Sequence, residues 1–217
     1  MSYTLLFQGD SITDGNRYKD PSTFWDLNHY LGHGYAEMCA GKLAADYPEA
    51  DFRIHNRGLS GNRVIDLHAR WDVDTYALKP DILSILIGVN DCGHALRCGI
   101  PSVTKKYDKY YRLLLDETYE QLPDVKLILM EPFILPVKTV ADQQAEWESL
   151  LKPLQELLPA IAADYKAVYV PLQDKFSELA KVREPSYWMW DGIHPTTAGH
   201  EVVSREWMKG FMKLGIV

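Results

Sequence analysis

Cysteine is scarce in this chain: three in 217 residues, at Cys39, Cys92 and Cys98. An odd, sparse set builds no disulfide framework, so a reducing compartment, the cytoplasm, is the expected setting. The Cys92-x5-Cys98 spacing has no companion ligand pair, and neither a metal nor any other cofactor is expected. Long apolar runs are missing as well. None approaches the roughly 20 residues that span a bilayer, and no membrane partner is expected. The opening Met1-Ser2-Tyr3-Thr4 has no basic n-region or long apolar h-region, so it does not read as a signal peptide. Cations are outnumbered, 23 Lys and Arg against 30 Asp and Glu, and the net charge of −7 argues against a nucleic-acid partner. Low-complexity segments, long linkers and internal repeats are absent.

What remains is an ordinary globular composition, 47% apolar and 24% charged, which excludes a disordered chain. Its length suits one domain, residues 1–217, with one sizeable core. Short apolar runs at Thr4–Gln8, Phe52–Asn56, Ile82–Ile87, Val125–Met130 and Ala167–Val170 read as buried strands. Between them lie helix-like stretches at Tyr35–Asp46, Val64–Tyr76, Lys105–Gln121, Asp142–Tyr165 and Ala198–Leu214. Pro153 and Pro159 are expected to interrupt or bend the fourth. Strict alternation implies an α/β fold, a three-layer α/β/α sandwich around a five-stranded parallel sheet. Such sheets gather their sites beyond the carboxyl ends of the strands.

The polar residues after each run therefore carry the functional reading. Gly9-Asp10-Ser11-Ile12-Thr13-Asp14 follows the first strand, Asn56-Arg57-Gly58-Leu59-Ser60-Gly61-Asn62 the second, and Gly88-Val89-Asn90-Asp91 the third. Asp191-Gly192-Ile193-His194-Pro195 lies near the C-terminus. Ser11 is the candidate nucleophile, a hydroxyl that needs a base within hydrogen-bond reach. By itself it reads equally as the cap of a following turn. His194 is the candidate base, and Asp191, across a turn containing Gly192, is placed to orient it. That pair also reads as an Asx-type turn. The Ser11 backbone N–H, Gly61 and the Asn90 amide are the candidate oxyanion donors. In isolation, Asn90 reads as a turn residue and Gly61 as a positive-φ position. Asp10 is adjacent to the nucleophile and so a candidate on the substrate side. Its carboxylate, like that of Asp91, equally suits a structural tie to loop amides.

Taken in order, the four blocks closely resemble the SGNH (GDSL-type) hydrolases, whose Ser, Gly, Asn and His match Ser11, Gly61, Asn90 and His194, with Asp191 as the acidic partner. Ile12 stands where the family name has Leu, which leaves the chemistry intact. The resemblance implies a flavodoxin-like fold and metal-independent ester hydrolysis by a Ser-His-Asp triad through an acyl-enzyme. Leu6–Asp14, Gly32-His33-Gly34-Tyr35 and Trp190–Pro195 further resemble bacterial intracellular carbohydrate acetylesterases, those acting on acetylated xylo-oligosaccharides among them. That likeness implies a small acetylated sugar as partner and a homo-oligomeric state. The long Gly15–Gly34 loop carries Arg17, Tyr18, Phe24, Trp25, Asn28, His29 and Tyr30. Tyr187, Trp188 and Trp190 lie near the triad. Trp25, Tyr187 and Trp190 are the candidate sugar platforms, although such rings also fill cores and subunit interfaces. A lysophospholipase or thioesterase of the same family is the alternative activity. A non-catalytic binding protein would be signalled by a lost triad member, and none is lost.

Overall fold

The computed structural model describes residues 2–20 and 27–217. Five parallel strands, β1 (Ser2–Gly9), β2 (Asp51–Asn56), β3 (Ile82–Leu86), β4 (Lys126–Met130) and β5 (Val168–Val170), form one sheet in the order β2-β1-β3-β4-β5. The expected runs are all strands, with no end displaced by more than two residues. β1 and β3 are apolar along most of their length because helices cover both faces of the sheet.

The helices, in chain order, are α1 (Ser11–Asp14), α2 (Leu27–Leu31), α3 (Tyr35–Asp46), α4 (Val64–His68), α5 (Trp71–Asp74), α6 (Val89–Cys98), α7 (Thr104–Gln121), α8 (Thr139–Asp142), α9 (Gln144–Asp164), α10 (Gln173–Val182), α11 (Pro185–Trp188) and α12 (Thr197–Met212). α3 and α12 pack together on one face of the sheet, while α4, α7 and α9 line the other. Side chains alternate accordingly along β1. Phe7 meets Tyr35 and Trp207 on the first face, whereas the Gln8 amide donates to the Thr75 hydroxyl and the Asp74 carbonyl on the second. Trp207 is fully buried and donates its indole N–H to Ser84 of β3 at 2.9 Å, so neither polar group is left unpaired in the core.

Three expectations need correction. The Val64–Tyr76 stretch is not one helix but α4, α5 and a 3₁₀ turn at Tyr76–Leu78. The breaks let α4 bury Val64 and Leu67 while α5 turns Trp71 inward to donate to Thr118 at 2.8 Å. α9 runs without interruption through Pro153 and Pro159. The carbonyls those prolines leave without a helical partner belong to Ser149, an exposed residue, and Gln155, a half-exposed one. The continuous stripe Trp147, Leu150, Leu151, Leu154, Leu158 and Ile161 supplies the burial that holds the helix. The third is the set of helices: α6 and α10, with the short α1, α2 and α11 and all of α8 but Asp142, lie outside the helix-like stretches of the sequence. α6 opens on Gly88-Val89-Asn90, residues that read as a turn, and α10 buries only Phe176, too thin a stripe for periodicity to reveal.

Gly34 precedes α3 and has no side chain to cap it. Instead the Tyr35 N–H donates to Nδ1 of His200 on α12 at 3.3 Å. Accepting that bond requires a neutral imidazole, and burial, with His194 nearby, lowers His200 to about 4 from 6.5. A histidine depressed in the folded state contributes stability that is complete above 6.5 and lost as pH falls toward 4. His200→Gln should remove that dependence. The difference in Tm between parent and variant, followed from pH 7.5 to 4.5, should shift by several degrees against the parent. Asp10 and Asp91, raised to about 7, act in the opposite sense but are present in both proteins and cancel. A pH-independent difference would remove His200 from this role.

Candidate active site

β1 is flanked by β2 and β3, and the chain passes to opposite faces on leaving it and on approaching β3. The carboxyl ends of β1 and β3 thus border a crevice at a topological switch point, where ligands settle in open α/β sheets. Ser11 follows β1, Asn90 follows β3, the Gly61 turn follows β2, and Asp191 and His194 stand on the segment before α12.

Ser11 is the first residue of α1, but it is not the cap. Asp10 caps the turn, its Oδ1 accepting the Ile12 N–H at 3.0 Å, and Gly15 closes it in the left-handed region. This frees the Ser11 hydroxyl, which lies 2.8 Å from His194 Nε2. Asp10 is itself buried, which fits its structural tie rather than a place on the substrate side. Burial, the Ile12 N–H opposing it and the Asp91 charge adding to it, raises its carboxyl to about 7.

The Asp191–His194 turn is closed by an antiparallel bridge between Met189 and Pro195 and by the Trp190 N–H donating to the His194 carbonyl at 3.1 Å. Within it both sequence readings hold together. Asp191 Oδ1 accepts the backbone N–H groups of Ile193 and His194 at 2.9 and 2.8 Å, forming the Asx turn. Oδ2 accepts from His194 Nδ1 at 2.7 Å. Burial pushes the Asp191 carboxyl upward, but these bonds from His194 and Ile193 outweigh it and hold the group below its usual range. With Nδ1–H given to the carboxylate, Nε2 is left to accept the Ser11 proton. The arrangement is therefore competent to generate a serine nucleophile.

Asn90, on the first turn of α6, donates its amide to the Asn62 carbonyl at 3.2 Å, so the loop after β2 and the helix after β3 meet at the site. One amide hydrogen remains for a ligand. Gly61 has φ +82, and the space beside its Cα is open, so backbone conformation and not crowding calls for glycine there. Among the described residues, the Ser11 and Gly61 backbone N–H groups meet no protein acceptor. Asp91, buried one position after Asn90, accepts the Val64 N–H at 3.1 Å and ties α6 to α4. Asn56, read in sequence as the end of the second strand and the start of the second block, proves to be a hub. Its amide donates to the Thr13 and Leu31 carbonyls at 2.6 and 2.7 Å, and its Oδ1 accepts the Gly58 N–H. Nothing local in the sequence signals this.

Trp190 lies nearly parallel to the His194 ring at 5.3 Å, with Lys138 Nζ 5.2 Å from its centroid, and is 53% exposed. The Tyr187 ring is covered on one face by Arg183 at 3.9 Å and packs edge-on against Trp188. Phe24 and Trp25 lie outside the described residues. Cys39 and Cys92 are buried and Cys98 is exposed. Among the described residues no group of three or more His, Cys, Asp or Glu side chains could hold a metal ion, and no helix is long and apolar enough to cross a membrane.

Gly192 adopts φ +96, and a Cβ there would press on the Leu135 and Val137 carbonyls at 2.6 and 2.7 Å. Gly192→Ala should therefore cost about 1–3 kcal/mol of stability and lower kcat by displacing Asp191 from His194. Thermal melts and steady-state kinetics on one preparation check this; an unchanged Tm and kcat would contradict it.

The model of the GDSL-like lipase/acylhydrolase family matches residues 7–202. An acetylxylan esterase of Geobacillus stearothermophilus is 36% identical over 209 residues, covering 94% of this chain and 92% of that protein. Among solved structures, a catalytic mutant of Axe2, an acetylxylan esterase from the same organism, superposes with a TM-score of 0.83 at 32% identity, over 96% of this chain and 93% of that one. A second Axe2 mutant, described as an acetyl-xylooligosaccharide esterase, gives the same TM-score, identity and coverage.

Proposed function

The chain belongs to the GDSL-like lipase/acylhydrolase family and is a carboxylic ester hydrolase, and from that premise we propose that it removes O-acetyl groups from small carbohydrates by a Ser11–His194–Asp191 triad. The observation that carries this is the hydrogen-bonded chain from Ser11 Oγ through His194 to Asp191, at 2.8 and 2.7 Å, in the crevice between β1 and β3. Ser11 Oγ attacks the acyl carbonyl as His194 Nε2 takes its proton, and Asp191 stabilises the resulting imidazolium. The Ser11 and Gly61 N–H groups and the free Asn90 amide hydrogen receive the developing oxyanion. Collapse releases the sugar hydroxyl with the proton from His194 and leaves an acetyl-Ser11. Water, deprotonated by His194, then releases acetate and restores the serine.

The acetylated-sugar assignment is supported by the acetylxylan esterase relatives and by Trp190, whose exposed indole is held beside the base. A flat ring there suits a sugar on the alcohol side of the ester, and remote contacts of that kind orient the reacting carbonyl. Tyr187 is the weaker platform, 38% exposed against 53% for Trp190, with Arg183 over its ring. The same reading makes residues 1–217 one domain of a cytoplasmic homo-oligomer acting on a diffusible substrate.

Ser11→Ala should lower kcat by on the order of 10⁶ with the Tm little changed, whereas Asn90→Ala should lower kcat by roughly 10²–10³ with KM nearly constant. A Ser11→Ala protein that keeps a tenth of the activity would refute the nucleophile, and an unchanged kcat in Asn90→Ala would take that amide out of the oxyanion hole.

Substrate choice is tested with acetylated xylo-oligosaccharides, other acetylated sugars and p-nitrophenyl esters of graded length. Acetyl esters should be cleaved far faster than octanoyl esters. Trp190→Ala should cost sugar acetates much more kcat/KM than phenyl acetate. A preference for octanoyl esters would favour the lysophospholipase or thioesterase reading. Equal losses for both substrates in Trp190→Ala would make the indole a support for the His194 turn.

A further inference from the structure

Gly61 is exposed and untouched by packing at its Cα, yet the reading above asks its N–H to hold a fixed direction. Something other than packing must fix the turn that carries it. The bonds around the next residue supply the answer. The Asn62 N–H donates to the Leu59 carbonyl at 3.1 Å, its own carbonyl accepts the Asn90 amide, and its side-chain Oδ1 accepts Arg70 Nε at 2.7 Å. Arg70 stands just before α5, its side chain mostly buried. Its Nη1 donates to Asp74 Oδ2 at 2.8 Å, and its Nη2 makes a longer bond, 3.4 Å, to the Gly9 carbonyl. Gly9 ends β1, two positions before Ser11, and its carbonyl also accepts the Leu59 N–H at 3.0 Å.

We propose that Arg70 is a positioning residue that sets the oxyanion donors: one guanidinium joins the strand end leading to Ser11, the turn bearing Gly61 and, through Asn62, the amide of Asn90. The inference rests on the oxyanion reading of the previous subsection. Its physical basis is geometric. The donors reside on three separate segments, after β1, β2 and β3. Past the sheet the first two are joined by the Leu59 N–H bond to the Gly9 carbonyl and by the Ser60 N–H donating to Asp14 at 3.1 Å. Arg70 adds the side-chain link that, through Asn62, also reaches the third. A planar guanidinium directs rigid N–H groups along diverging lines, which a single ammonium on a flexible stem does not reproduce. Asp74 balances the charge and holds the fork in place. Arg57 Nε lies 3.8 Å from its Oδ1 as a second ion-pair partner, so cations face the carboxylate from two sides. Because Arg70 reaches the substrate only through Asn62 and Gly9, its removal should disturb the transition state more than substrate binding.

The test is a double-mutant cycle on purified, folded protein. Arg70→Lys and Asn62→Ala break the same link from its two ends, and the second leaves the Arg70–Asp74 pair intact. Each should lower kcat on an acetyl ester about 10- to 100-fold, less than loss of a donor itself, with KM within about twofold and with Ser11 phosphonylation by an organophosphonate slowed in parallel. In an Asn90→Ala background both substitutions should lose part of their effect on kcat, because one of the donors they position is gone. Circular dichroism and Tm establish that each variant is folded. Should Arg70→Lys fail to fold, Asn62→Ala carries the cycle alone. Unchanged kcat in folded variants, or effects fully additive with Asn90→Ala, would overturn the positioning role. Failure of the underlying reading is separately visible, since then Ser11→Ala or Asn90→Ala would itself leave kcat intact.

Discussion

β1 has to receive β2 on one edge and β3 on the other, and every feature of the site follows from that placement. The chain crosses one face of the sheet to reach β2 and the other to reach β3, so the segments leaving β1 and β3 diverge and open a crevice between them. Ser11 and Asn90 occupy the two walls. The long apolar runs of β1 and β3 hold this arrangement in place, because helices bury both faces of each strand.

The crevice is then held by polar groups that the core cannot provide. Asp10 caps the Ser11 turn, Asp91 fixes α6 to α4, Asn56 collects three backbone groups, and Asp14 accepts the Ser60 N–H at 3.1 Å. Burial raises Asp10 and Asp91 to about 7, a cost in solvation that each partly recovers through a backbone N–H. The loops around the site are thus braced by side chains bonded to backbone groups of neighbouring segments. That is how a serine hydroxyl and an imidazole 183 positions apart stay at 2.8 Å.

Trp190 joins this framework to the open surface. Its ring lies against His194, with Lys138 beside it, while half of its area faces solvent. Packing of the two rings limits the rotation of both, so one side chain supports His194 while part of its indole stays exposed.

The sequence by itself determined the strands and the α/β alternation, and the order of its four polar blocks singled out Ser11, His194 and Asp191 as candidates, with an Asx turn as one reading of the last pair. Each depends on hydrophobic period, on residues a few positions apart or on the order of such blocks, and such information is written in the sequence. Tertiary structure decided the rest. α9 continues through two prolines because its apolar stripe is buried, a gain no local propensity contains. Val64–Tyr76 breaks because Val64 and Trp71 must enter the core from different directions. The roles of Asn56, Asn62 and Arg70 were illegible because an asparagine after a strand, or an arginine between two short helices, acquires meaning only from the backbone groups that folding brings to it. Hydrogen bonds between segments far apart in the chain have no signature in either segment, and at this site they are what hold the separate loops in one place.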